Sequence, residues 1–472
     1  MWNARSQRLE PAVSVRFLWG VDTWVQGLVR RVARQPMVRS AVIYASATAG
    51  VKVVAFIKEA VVAAAFGVSG AMDAYLMGLM LIGVPLGLLL NAIQTAFIPL
   101  FVEVRETQGT HAGAHFIRST ASAVLLVMMM ALILWLIMLP WVMDIVGHGF
   151  DTAKQTAVRD MFLWLIPYYF LNGLNLLGYG VLQADKRFLS SAILPVCIPV
   201  VTIAIVLGVG TGDVHELVLG FVMGSFLEWV VIHLRLRQNG ASLMPGRSPV
   251  TPETRRLAQG SGALIGGTFV LSITPMIEQG LASGLGEGTV AAMGYAFKLP
   301  SMINGILVTS VGVTVLPYFA EMLARRDDAI CRRAFRNYAL VLLAGGAVLA
   351  LIMVALSEPL VALVFQRGAF QAEDTRIVAD IQRAYLLQIP GALVGMLAVR
   401  LLVAQGAYGI VSIISSLSVV VSGVLAWGLS RQMGAMGIAL GLSVAATVSA
   451  MILVVLALRQ FVNARPAKES VL

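Results

Sequence analysis

Apolar runs of about 20 or more residues, the length that an α-helix needs to cross a bilayer, follow one another along most of the chain. This pattern predicts an all-α, polytopic membrane protein. We place twelve predicted spans, at 39–66, 73–101, 120–146, 161–183, 187–209, 214–236, 258–284, 290–322, 335–366, 378–404, 406–429 and 434–461.

Composition supports this interpretation and basic residues predict an orientation. The 472 residues are 58% hydrophobic and 12% charged, whereas a soluble domain carries about 25% charged residues. Most of the Lys and Arg residues fall between alternate spans, on the side of the N-terminus, which the positive-inside rule assigns to the cytoplasm. Both termini are therefore predicted to be cytoplasmic. The few basic residues of the predicted outer segments are Lys154, Arg159, Arg367, Arg376 and Arg431.

The two halves of the chain resemble each other in sequence. One constant offset pairs Ile57 with Ile277, Tyr75 with Tyr295, and Phe150 with Phe370, which indicates an internal duplication. Six spans per half keep both halves in the same orientation, so the repeats are parallel and a substrate site is expected between them. The predicted domains are a basic amphipathic interfacial segment or, alternatively, a disordered basic tail (1–37), a six-helix lobe (38–239), a cytoplasmic linker (240–257), a second six-helix lobe (258–461) and a cytoplasmic tail (462–472).

Charged residues inside the predicted spans are candidates for a binding site. Lys52, Lys58 and Glu59 lie in the first span and Lys298 in the eighth, where one charge costs about 2.5–3.5 kcal/mol on insertion scales. On a straight helix Lys52 and Glu59 share a face and Lys58 points about 120° away from Lys52. Cations from both halves predict a cavity for an anion, above all a diphosphate. Alternatively, these charges pair across helices and only fix the packing.

The sequence lacks the common motifs of enzymes and metal sites. The sequence contains no HExxH, no P-loop, no GxSxG in a strand–turn–helix setting and no Cys/His cluster, so we predict neither catalytic residues nor a metal site nor a cofactor. Cys197 and Cys331 are interpreted as packing residues. Asp73, at the start of the second span, and Asn91, within it, add polar groups.

Several segments resemble the MviN/MurJ family of lipid-linked oligosaccharide flippases, part of the superfamily that also includes multidrug and polysaccharide exporters. They are VKVVAFIKEAVVAAAFG with AMDAY, FIPLFVE, LQADKRFLSSAILPV, YAFKLPSMINGI, VLPYFAE and EPLVALVFQRGAFQAEDT. The last is the most specific, because it follows the family's Leu-Phe-x-Arg-Gly-x-Phe-x-x-x-Asp-Thr pattern, with valine for the first leucine. The likeness extends from residue 38 to about residue 460.

The resemblance implies a V-shaped pair of six-helix lobes in a bacterial cytoplasmic membrane that alternates between inward- and outward-open states. It implies transfer of an undecaprenyl-diphosphate-linked glycan, typically lipid II, to the outer leaflet, with membrane lipids and envelope-biosynthesis proteins as partners and no nucleic acid. The resemblance places substrate-binding groups in the first, second and eighth spans and assigns coupling to a cation, Na⁺ or H⁺, in the seventh, or to the membrane potential. The residues concerned are Lys52, Lys58, Glu59, Asp73, Asn91 and Lys298 for substrate and Glu278 for the cation.

Two departures from the family pattern keep other functions open. In the second span LGLLLN replaces most of the family's polar residues and leaves Asn91, and the eleventh span offers hydroxyls without Asp or Asn. Another polyprenyl-diphosphate glycan, such as an exopolysaccharide or glycolipid intermediate, therefore fits as well as lipid II. The alternatives are an ion-coupled small-molecule or multidrug exporter, whose cavity should be acidic and aromatic, and a non-transporting membrane scaffold.

Overall fold

The structure is a computed structural model that describes residues 36–463 except 239, 247–249 and 326. The predicted interfacial segment, up to residue 35, and all of the predicted tail except its first two residues lie outside the described residues. Throughout the described part the regular structure is helical. The helices are α1 (Pro36–Phe66), α2 (Gly70–Gln108), α3 (Thr110–Val146), α4 (Thr152–Trp164), α5 (Ile166–Ala184), α6 (Phe188–Ile193), α7 (Cys197–Val209), α8 (His215–Arg237), α9 (Pro252–Ser283), α10 (Thr289–Ala324), α11 (Asp328–Ala355), α12 (Ser357–Phe365), α13 (Ala372–Leu386), α14 (Ile389–Ala404) and α15 (Tyr408–Asn463), with a 3₁₀ turn (Leu194–Val196) between α6 and α7.

The helices confirm the predicted polytopic fold. Among the described residues, eight helical segments are long and apolar enough to cross a membrane by length and composition. The last of these, α15, contains two predicted spans. They meet at Gly434, which has a φ of 58° and bends the helix. Helices α1, α9 and α10 have 31, 32 and 36 residues and are also long enough to span the hydrocarbon.

Four spans that the sequence predicted as single helices are each divided into two helical pieces. Proline explains the breaks, since it lacks an amide proton and clashes with the preceding turn, but is accepted in the first turn of a new helix. The breaks precede Pro167 at the start of α5, Pro195 in the 3₁₀ turn, Pro359 at the start of α12 and Pro390 at the start of α14.

The internal duplication extends to individual hydrogen bonds of the backbone. In the first half the amide of Phe150 donates to the carbonyl of Gly147 at 3.0 Å, and in the second half the amide of Phe370 donates to Arg367 at 3.1 Å. These pairs are related by the same offset as the sequence matches. The starts of α4 and α13, and the ends of α5 and α14, are related by it as well. The halves therefore share turn geometry as well as helix order.

We call α1–α8 the N-terminal lobe and α9–α15 the C-terminal lobe; the domain edges given above stay predictions. The end of the bundle that contains the start of α1 and the end of α2 is called the basic end, after Arg105, Lys186, Arg187 and Arg256. The opposite end is called the far end. It contains the turns between α1 and α2, between α3 and α4, between α9 and α10, and between α12 and α13.

The lobes are joined at the far end by hydrogen bonds between helix ends and the turn before α13. The amide of Ala369 donates to the carbonyl of Ala64 at 2.8 Å, and the hydroxyl of Ser283 donates to the carbonyl of Val146 at 2.8 Å. Gly368 adopts a φ of 58°, and a Cβ at this position would collide with the carbonyl of Ala64. This close approach therefore requires glycine.

Candidate functional site

Three charged side chains meet in the gap between α1 and α10, and we call them the charge triad: Lys58, Glu59 and Lys298. The Glu59 carboxylate lies 2.7 Å from the Lys58 amine and 3.0 Å from the Lys298 amine. The Lys58 and Glu59 side chains are 10% and 13% exposed, whereas that of Lys298 is 33% exposed. Because Lys298 belongs to the C-terminal lobe, the carboxylate forms an ion pair between the lobes. The triad retains one net positive charge.

Aromatic residues of the N-terminal lobe support the buried end of the triad. The Lys58 amine lies 5.0 Å from the ring centroid of Phe221, a residue of α8. Tyr75 and Tyr168 pack against the same ring, at centroid distances of 6.2 and 5.6 Å. A ring face attracts a cation, and more strongly where water is excluded. The side of α1 that carries Lys58 therefore packs against protein rather than lipid.

The structure also shows how Lys58 reaches the triad and where the triad lies along α1. The straight-helix geometry placed Lys58 on a different side from its neighbours, yet its long flexible stem brings the amine to Glu59. Lys58 and Lys298 are therefore ion-paired in this conformation, as the packing alternative supposed. The triad also lies away from the middle of α1, because Glu59 is only about 10 Å along the helix from Phe66 at the far end.

Lys52 lies on the same gap, about 10 Å further along α1 toward the basic end. Its amine is 3.1 Å from the point that a Cβ of Gly305 in α10 would occupy, so the side chain reaches toward the C-terminal lobe. The residue is exposed. The structure therefore places Lys52 beside the triad and accessible to a ligand.

Asp73 lies at the far end and takes no part in the triad. Its fully buried carboxylate accepts from the Lys154 amine at 2.7 Å and from the amides of Gly288 and Ala291, at 2.7 and 2.8 Å. These amides belong to the start of α10, so Asp73 joins the lobes at their closed end. In this conformation both oxygens are occupied by protein donors, which differs from the expectation of a side chain turned toward substrate.

Glu278 lies in a separate cavity of about 350 Å³ inside the C-terminal lobe, between α9, α13, α14 and α15. The hydroxyl of Tyr385 donates to its carboxylate. Tyr385 was not predicted from the sequence, because a tyrosine within an apolar helix gives no sign of a polar partner. The other polar lining groups are Thr274, Gln388, Ser415, Ser418, Ser422 and Ser449. Oxygen donors of this kind suit a hard cation. The side chain of Asn91 lies outside the described residues.

Two parallel-repeat helical lobes, joined by hydrogen bonds at the far end and by the exposed Glu103–Arg256 ion pair at the basic end, contain an interlobe charge cluster and define a polytopic alternating-access transporter. The family model described as "Lipid II flippase MurJ" matches residues 62–470, and the chain belongs to this family. A probable lipid II flippase MurJ of Rhizobium meliloti (strain 1021) is 26% identical over 424 residues, which cover 86% of this chain and 78% of the relative.

Solved structures support the same fold. A lipid II flippase MurJ in an inward closed conformation is 18% identical and matches with a TM-score of 0.73 over 89% of this chain and 90% of that one. An inward-facing multidrug resistance transporter of the MATE family and MOP superfamily is 11% identical. It matches with a TM-score of 0.75 over 91% of this chain and 99% of that one.

Proposed function

We propose that this protein moves a polyprenyl-diphosphate-linked glycan, lipid II or a related envelope intermediate, from the inner to the outer leaflet of the bacterial cytoplasmic membrane. The observation that supports this most directly is the charge triad, which presents cations from both lobes in one gap. Family membership supports the same function, since relatives carry the name lipid II flippase. The protein acts by alternating access and performs no covalent chemistry.

The distribution of basic residues supports an orientation in which the basic end faces the cytoplasm. The far end then faces outward, and its closed turns leave the gap to be reached from the cytoplasmic side. A substrate made on the inner leaflet would meet Lys52 first and the triad beyond it, because Lys52 is nearer the basic end. Both termini are cytoplasmic in this arrangement.

The diphosphate takes the place of Glu59 as the counterion of the lysines. Glu59 now neutralises Lys58 and Lys298 with one carboxylate, and it connects the lobes through Lys298. A diphosphate carries more negative charge and several acceptor oxygens, so it satisfies these two amines together with Lys52. The ion pair between Glu59 and Lys298 then no longer holds the lobes together. Diphosphate binding shifts the protein toward another lobe arrangement because the bound diphosphate replaces the Glu59–Lys298 contact between the lobes.

Glu278 and Tyr385 bind the coupling cation that drives the transport cycle. Their cavity is separate from the triad and lies within one lobe, so a cation bound there would change the packing of α9 against α13, α14 and α15. The oxygen donors fit Na⁺, and the carboxylate alone fits H⁺. The membrane potential is a further driving force. Each elementary charge that crosses the whole field changes the free energy by about 2.3 kcal/mol per 100 mV.

The test is native mass spectrometry of the purified protein with its co-bound lipids. The wild type is compared with Lys52→Ala/Lys298→Ala and with the charge-retaining control Lys52→Arg/Lys298→Arg. We expect a polyprenyl-diphosphate glycan in the wild type and the control and its loss in the alanine variant. Bulk phospholipid alone in all three would contradict the proposal and favour small-molecule export or a scaffold.

A further inference from the structure

The N-terminal lobe contains a second cavity, at its basic end and away from the triad. The cavity has a volume of about 430 Å³ and lies where α2 ends, α3 begins and α5 turns into α6. Such a volume is typical of small-molecule sites, which measure about 300–1,000 Å³. The residues that matter for its chemistry are Phe101, Arg105, Asp185, Lys186 and Arg187.

The cavity has an excess of positive charge. Its described lining contains three cationic side chains, those of Arg105, Lys186 and Arg187, and one carboxylate, that of Asp185. Arg105 is ion-paired with Asp185 and lies 5.2 Å over the ring of Phe101, which fixes the guanidinium. The exposed carboxylate of Glu106, outside the lining, is 3.7 Å from the same guanidinium. A guanidinium has five N–H donors, so it is able to contact further acceptors.

Lys186 has a backbone conformation that favours glycine. Its φ is 59°, in the left-handed region, and among the described residues other than glycine it alone has a positive φ. A residue with a Cβ is disfavoured there because the Cβ approaches the following carbonyl. Lys186 follows the end of α5 in a turn. Its amide donates to Gln183 at 3.0 Å and the next amide, of Arg187, donates to Leu182 at 2.8 Å.

The second lobe repeats this turn with glycine. The amide of Gly406 donates to Val403 at 3.0 Å and that of Ala407 donates to Leu402 at 2.9 Å, at the offset of the internal duplication. Gly406 has a φ of 76°. The same turn therefore forms in the second lobe with glycine, the residue that this backbone conformation favours. The fold does not require the lysine at position 186. The strained residue is the one that faces the basic cavity.

We propose that the cavity binds the phosphate of an anionic phospholipid headgroup. Basic pockets between transmembrane helices on the cytoplasmic side are suited to anionic headgroups. Arg105 offers planar N–H donors and Lys186 a mobile ammonium, the two chemistries that bind phosphate in proteins. Free phosphate shares this chemistry and is distinguished by the test. The site is independent of the flippase function, because it lies within one lobe and contains no residue of the triad.

The experiment measures ligand affinity of the full-length protein in detergent by thermal shift. The probes are dihexanoyl phosphatidylglycerol, zwitterionic dihexanoyl phosphatidylcholine and inorganic phosphate. Lys186→Gly/Arg187→Gln removes two cations of the cavity, and Lys186→Gly alone is expected to unfold at the same or a higher temperature. Arg332→Gln/Arg333→Gln removes two exposed cations at the same end of the bundle, outside the cavity. Lys52→Ala/Lys298→Ala removes two of the three lysines of the interlobe gap.

We expect phosphatidylglycerol to bind the wild type, the Arg332/Arg333 variant and the Lys52/Lys298 variant with similar affinity. The Lys186/Arg187 variant should bind it about tenfold more weakly or worse, since hydrogen bonds to charged groups are lost. The same selective loss with inorganic phosphate alone would support the site and identify free phosphate as its ligand. Equal weakening in the Lys186/Arg187 and Arg332/Arg333 variants, or no weakening in the former, would overturn the proposal.

Discussion

Glu59 of α1 lies 3.0 Å from the amine of Lys298 of α10, so one carboxylate connects the two lobes while it also neutralises Lys58 at 2.7 Å. In the proposed function this lysine pair binds an anion, and the shared carboxylate is its internal counterion. Removing the carboxylate leaves two ammonium groups facing each other with no compensation, whereas removing one lysine leaves a balanced pair.

The first prediction follows from this asymmetry. Glu59→Gln should destabilise the protein by about 3 kcal/mol, the cost of removing one partner from a buried ion pair. Added pyrophosphate should then raise the unfolding temperature of the variant more than that of the wild type, because the vacated position accepts an anion. Glu103→Gln, which breaks the exposed pair with Arg256, serves as the control. An equal response of all three proteins to pyrophosphate would contradict the counterion role of Glu59.

The second prediction concerns transport itself. Lys298→Ala should lower the rate of lipid-linked glycan flipping in proteoliposomes by about tenfold or more, because the C-terminal lobe loses its contact with the diphosphate. Lys298→Arg keeps the charge and should retain most of the activity. Insertion and unfolding temperature are measured in parallel. Undiminished flipping by the alanine variant would exclude Lys298 from the substrate site.

The third prediction concerns the closed far end. Asp73→Asn weakens the contact with Lys154 and with the start of α10 and should shift the protein toward a conformation that is open at the far end. Spin labels at Thr152 and Gln371, exposed residues on opposite lobes, report the opening as a longer distance in electron paramagnetic resonance. Asp213→Asn, at the same end but within one lobe, should leave the distance unchanged. A distance distribution for Asp73→Asn like that of the wild type would rule out this role.

The fourth prediction uses two glycines with almost the same backbone. Gly368 and Gly210 have φ values of 58° and 62°, so alanine at either position carries a similar penalty, about 1–2 kcal/mol. Only at Gly368 would the new Cβ also collide with the carbonyl of Ala64 in the other lobe. Gly368→Ala should therefore separate the spin labels at the far end, whereas Gly210→Ala should only lower stability. The same label distance in both variants would contradict a closure that depends on Gly368.

The fifth prediction separates coupling from substrate binding. Tyr385→Phe removes the hydroxyl that donates to Glu278 and leaves the ring. Flipping should lose its dependence on Na⁺ or on pH, because the cation site loses a donor, while lipid binding measured by native mass spectrometry is retained. Ser191→Ala, a buried hydroxyl in the N-terminal lobe, provides the control. Unchanged cation dependence would mean that coupling takes place elsewhere.

The sequence predicted the helical, polytopic fold and the order of its spans, because apolar length acts locally, but it missed the breaks that proline introduces into four of them. It also predicted that Lys298 would share a site with the charges of the first span. It could not predict the pairing of Lys58 with Glu59, since the position of a long side chain depends on the helices packed around it. Asp73 shows the same limit: its acidity was evident, but the amides of Gly288 and Ala291 that it caps come from a distant turn.

The helix breaks that precede proline have a consequence for how the lobes can move during transport. In both lobes a break falls at nearly the same place in the repeat, between α4 and α5 and between α13 and α14. Each of these two spans is thus jointed rather than a stiff rod. The arm at the far end has 13 residues in α4 and 15 in α13, and the arm toward the basic end has 19 in α5 and 16 in α14. Lys154, on the short arm α4, touches the closure through Asp73. A change in the angle between α4 and α5 would therefore act directly on the Lys154–Asp73 contact at the far end, without requiring α5 to move.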